Sequence, residues 1–139
     1  MTKQVIWLGS SKSDLTKLPD RLIDELGHLL NELQEGNFPT PAATRLGEFG
    51  AGVCELAAND EAGTYRLVQV INLPNAIYVL HAFQKKSKSG IDMPPGDKAI
   101  IKARAAAART HSAQVMAAQA MATGAAATPT AIKSKKKGK

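Results

Sequence analysis

Cysteine is nearly absent: Cys54 stands alone, so no internal disulfide forms, and nothing near it has zinc-ligand spacing. Aromatics are scarce too, with one Trp, two Tyr and three Phe, so core volume falls mostly to Leu, Ile, Val and Ala. No apolar run approaches the roughly 18 residues of a membrane span, and the first twelve residues hold no signal-peptide core. The expectation is a soluble, cytoplasmic chain with no membrane partner. A length of 139 residues suits one domain, since domains of roughly 100–150 residues are the commonest. It excludes separate cofactor and substrate lobes.

Acid is missing from one end. Residues 1–104 carry twelve basic and twelve acidic side chains, so the whole net charge of +6 belongs to residues 105–139, which hold no Asp or Glu. Such asymmetry fits either a polyanionic partner or a solvated basic tail. From Ala103 to Ala127, thirteen of 25 residues are alanine. Alanine favours helix but buries little area, which predicts a helix running on from the domain. Gly124 and Pro129 should end it, leaving a disordered lysine tail. The domain is placed at 1–110 and the Ala-rich, Lys-ended extension at 111–139.

What is present reads as a mixed α+β chain. Val5 to Leu8 reads as a strand. Ser11 to Asp14 offers N-cap hydroxyls for a short helix stopped by Pro19. Leu22, Leu26, Leu29 and Leu33 predict an amphipathic helix over about 20–34, ended by Gly36 in a left-handed cap. These two helices should cover one face of a sheet. Asn37–Gly52 reads as a connection. Three runs, 52–57, 64–72 and 76–84, read as strands whose short links make them antiparallel neighbours. A final helix should start near Asp97, with Asp97 as N-cap.

Candidate chemistry gathers on the last strand. Alternation would place Ile77, Val79, His81, Phe83 and Lys85 on one face, and Tyr78, Leu80, Ala82, Gln84 and Lys86 on the other. His81, Phe83 and Lys85 supply a titratable ring, an aromatic plane and a cation, a set able to stack a base and hold a phosphate. A core His beside a core Phe gives the same residues. Arg66 interrupts an apolar run and requires an anionic partner, either Glu55 on the neighbouring strand or a ligand phosphate. Cys54 reads as a small buried hydrophobe. No His/Asp/Glu cluster has metal-ligand spacing, and no cofactor is expected.

Gly63-Thr64-Tyr65-Arg66-Leu67-Val68 and the run from Ala76 through Tyr78-Val79-Leu80-His81-Ala82-Phe83-Gln84-Lys85-Lys86-Ser87-Lys88 to Ile91 closely resemble the HigB-like, phage-derived branch of the RelE/ParE toxin superfamily. Trp7–Leu15 and Leu46–Leu56 resemble it too. The resemblance implies a compact α+β toxin domain: a strand, two helices, an antiparallel sheet and a C-terminal helix. It implies the toxin of a type II toxin–antitoxin pair, an endoribonuclease acting on mRNA at the ribosome without a metal. There the RNA 2′-hydroxyl attacks its own 3′ phosphate. The implied partner is a helix-turn-helix, HigA-like antitoxin. Carried over, Arg66, Lys85 and Lys86 serve phosphate or proton donation, Glu55 is a carboxylate base and His81 an acid or base. Phe83, Tyr65 and Lys88 contact substrate. ParE-like relatives that poison DNA gyrase, and a degenerate non-toxic binding module, are the alternatives.

Overall fold

The computed structural model describes residues 3–85 and 93–123. Strand β1 (Gln4–Trp7) leads into helices α1 (Ser11–Thr16) and α2 (Asp20–Gln34). Strands β2 (Ala43–Arg45), β3 (Val53–Asp60), β4 (Gly63–Val70) and β5 (Ala76–Lys85) follow, then helix α3 (Pro95–Thr123). The sheet order is β1-β5-β4-β3-β2, with β1 parallel to β5 and the other pairs antiparallel. The α+β class and the order of elements are as expected.

The leucine stripe explains α2. Leu22, Leu26, Leu30 and Leu33 are buried and join Leu56, Leu67, Ile77 and Val79 on one sheet face. Gly36, at φ +94°, ends the helix in the left-handed conformation, and Asn37 N–H closes on the Glu32 carbonyl at 2.9 Å. The other face is covered by α3, where Ile101, Ala105 and Ala108 meet Val53, Val68, Val70, Tyr78 and Leu80.

Four local expectations are corrected. The Asn37–Gly52 connection contains the edge strand β2 and a one-turn 3-10 helix at Gly47–Phe49. Three residues are too few for alternation to reveal β2. Ser11 sits inside α1, with Ser10 before it. Asp97 is not an N-cap: Pro95 starts α3, as its fixed φ and missing N–H favour, and Asp97 lies in the first turn with its carboxylate turned to the sheet.

The fourth correction concerns β5. Val68 pairs with His81 and Gln69 with Val79, so Leu80 is an extra residue, a β-bulge. The bulge breaks the period of two. Ile77 and Val79 face α2, whereas Tyr78, Leu80, His81 and Phe83 face α3, and Ala82 returns to the α2 side. The predicted face holding Ile77, Val79, His81 and Phe83 together does not exist.

Helix α3 is 29 residues long, about 43 Å at 1.5 Å per residue. It runs unbroken through residue 110. Beyond that point His111 Nδ1 meets the Tyr78 hydroxyl at 2.7 Å, and Ser112 Oγ donates to Asn75 Oδ1 at 2.5 Å. No helix among the described residues is long and apolar enough to cross a membrane. The expected helix end at Gly124 and the lysine tail lie outside the described residues.

Candidate active site

Three strands build a polar cluster into the sheet face beneath α3. Glu55, Val68 and His81 form one rung across β3, β4 and β5, and Ala57, Arg66 and Phe83 form the next rung of the same face, two residues along. Because directly paired residues share a face, Glu55, Arg66, His81 and Phe83 all lie on the α3 side. Val68 forms the floor between Glu55 and His81. Two strand spacings separate those residues, about 10 Å between Cα atoms. The rung thus sets a carboxylate and an imidazole on one face of the sheet, with the buried Val68 between them.

Two internal ion pairs hold the side chains. Arg66 Nη1 donates to Glu55 Oε2 at 2.5 Å, with the Glu55 side chain 7% exposed and Arg66 23%. The neighbour-strand partner proposed for Arg66 is therefore Glu55. His81 Nε2 meets Asp97 Oδ1 at 2.7 Å. A carboxylate oxygen accepts, so this contact assigns the ring proton to Nε2 and leaves Nδ1 with its lone pair in the neutral ring. His81 stacks on Phe83, ring centroids 5.0 Å apart and 19° between planes.

The pairing is incomplete. Among the described residues, four buried side-chain polar atoms lack a hydrogen-bond partner: Glu55 Oε1, Arg66 Nε and His81 Nδ1 on this face, and Gln69 Oε1 on the α2 side. Buried polar groups are normally satisfied. On the α3 face a carboxylate oxygen, a guanidinium N–H and a ring nitrogen are thus left without partners. The set is suited to a polar ligand.

Of the predicted site residues, Glu55, Arg66, His81 and Phe83 come together. Tyr65 does not: it is 5% exposed in the core under α2, on the opposite face, because it neighbours Arg66 in a two-period strand. Lys85 is placed by its backbone opposite Thr64. Lys86 and Lys88 lie outside the described residues. Asp97 is the residue that sequence reasoning missed; its capping chemistry masked a second use for the same carboxylate. Cys54 is fully buried on the α2 side, and burial pushes its thiol pKa up. That fits the small hydrophobe expected of it.

The face distinction is directly testable. Phe83→Ala removes the plane stacked on His81 and should shift the His81 imidazole signals in a nitrogen NMR spectrum. Tyr65→Phe removes a hydroxyl from the α2-side core and should leave those signals unmoved. Equal shifts in the two variants would mean that Tyr65 and Phe83 do not occupy opposite faces.

Fold and cluster together define a mixed α+β domain with a charged, partly unsatisfied site beneath its C-terminal helix. The chain belongs to the Gp49-like family of phage-derived proteins (DUF891), whose model matches residues 13–106. This is the phage-derived affiliation that the strand motifs indicated. Two solved structures are similar to it. One is an E. coli toxin RelE mutant in the free state, at 16% identity and TM-score 0.49, covering 65% of this chain and 88% of that one. The other is from the toxin–antitoxin complex RelBE2 of Mycobacterium tuberculosis, at 23% identity and TM-score 0.43, covering 61% and 100%. No curated protein matches the chain.

Proposed function

We propose that the protein is the toxin of a type II toxin–antitoxin pair and cleaves mRNA on the ribosome, held in check by a helix-turn-helix antitoxin. The observation that carries this reading is the rung holding Glu55 and His81 on either side of Val68, with Arg66 one rung away. In-line attack by a 2′-hydroxyl needs a base on one side of a phosphate, an acid on the other and a cation beside it. In this reading Glu55 Oε1 takes the 2′-hydroxyl proton. Arg66 Nε–H and the free guanidinium edge hold the phosphate oxygens. His81, charged, donates from Nδ1 to the departing 5′ oxygen, while Asp97 on Nε2 stabilises the imidazolium. Phe83 braces the ring through one face and offers the other to a base. Lys85, the last residue of β5, adds phosphate attraction, and Lys86 and Lys88 are assigned the same role from the sequence motif.

The internal pairing of Arg66 with Glu55 and of His81 with Asp97 also favours a second reading, a non-toxic binding module that keeps the fold. A translating extract and purified RNA separate them. Cleaved message, and cleavage of isolated RNA that persists in EDTA at high protein concentration, supports the proposal. Intact RNA with broken DNA would replace it with gyrase poisoning. Intact RNA and DNA would leave the binding module.

A further inference from the structure

We infer that Arg104 is a positioning residue for His81, acting through the bulged strand without touching substrate. Its catalytic consequence rests on the RNA-cleavage reading above; the positioning itself does not.

The extra residue in β5 is Leu80, whose neighbours Val79 and His81 keep the β4 pairing. Arg104 Nη1 donates to the Leu80 carbonyl at 2.8 Å. Its Nη2 donates to Ser10 Oγ at 3.3 Å. The guanidinium lies against Gly9, where φ is +54° and an added Cβ would come within 2.6–2.7 Å of the guanidinium atoms. The turn after β1 is therefore shaped around this arginine.

Arg104 and Asp97 are seven residues apart on α3, about two turns, and share a face with buried Ile101 between them. Asp97 holds the ring of His81 and Arg104 holds the carbonyl of the residue before it. One helix thus grips both sides of the bulge. That matters because an extra residue can slide. Moving a bulge by one position turns the residues passed to the opposite sheet face. A slide past His81 would take its ring from Asp97 to the α2 side. Pinning the Leu80 carbonyl fixes the extra residue at position 80 and so fixes which face His81 occupies.

The test reads the His81 ring directly, by nitrogen NMR of the imidazole in the full chain, alongside cleavage kinetics on isolated RNA. Arg104→Ala should remove the hydrogen-bonded signature of Nε2 and lower kcat by about 10- to 100-fold, with KM little changed. Gly9→Ala, which crowds the guanidinium from the other side, should give the same ring signature. Arg104→Lys, which keeps one donor, should restore part of it. Arg109→Ala is the control: Arg109 also ties α3 to backbone carbonyls, of Phe49 at 3.1 Å and Ala51 at 3.5 Å, neither of them in β5. It should lower the melting temperature and leave the His81 signals unmoved. Unchanged His81 signals in folded Arg104→Ala, or equal disturbance in Arg109→Ala, would overturn the inference. If the wild-type chain cuts no RNA while the ring still responds to Arg104, the positioning holds and the nuclease reading falls.

Discussion

Arg66→Ala is expected to reduce RNA cleavage by about 10²–10³-fold, the usual loss when one donor to a transition-state oxyanion is removed. The variant will also be less stable. It leaves the Glu55 carboxylate, only 7% exposed, without its cation, and breaking a buried pair from one side costs about 3–5 kcal/mol. Stability and activity must therefore be separated. Combining Arg66→Ala with Glu55→Gln removes the stranded charge and should recover much of the stability, while cleavage stays low. Melting curves and single-turnover cleavage on both variants make the comparison. A folded Arg66→Ala protein that cuts RNA at the normal rate would remove Arg66 from the site.

Ile101→Ala should produce the largest loss of stability from a single apolar side chain on α3, about 2–5 kcal/mol. The helix buries Ile101, Ala105 and Ala108 against the sheet, and alanine contributes little area. Ile101 is thus the one large apolar anchor among them, fully buried, between the two polar grips of Asp97 and Arg104. Losing it should loosen α3 and expose the face that carries Glu55, Arg66 and His81. Denaturant titration gives the magnitude, and amide exchange in α3 relative to α2 gives the location. Loss of protection shared equally by α2 would mean that the two helices unfold as one unit.

Much of this architecture was legible in the residues. The leucine spacing of α2 is long and regular enough to survive any tertiary influence, so the helix was found over its full span. Arg66 was legible as a paired charge because an apolar strand gives a guanidinium few options. The site was less so. A bulge leaves no mark on composition: Leu80 is as good a strand residue as its neighbours, yet it reverses the face of everything after it. Asp97 satisfies the rules for a helix cap, and nothing in the local sequence says that a histidine sixteen residues earlier will claim it. Tyr65 comes in with the family resemblance, but its place next to Arg66 in a strand puts it on the opposite face.

The parallel pairing of β1 with β5 has a kinetic consequence. Gln4 lies beside Ala76 and Trp7 beside Val79, so within this sheet β1 has no partner until β5, the last of the five strands in chain order, exists. The β3–β4–β5 meander is local and can form by itself, whereas β1 must close a loop of roughly 70 residues. Docking of β1 then completes the sheet edge and brings Gly9 and Ser10 to Arg104. The arginine that holds the bulge is therefore seated by a contact that spans most of the domain's length.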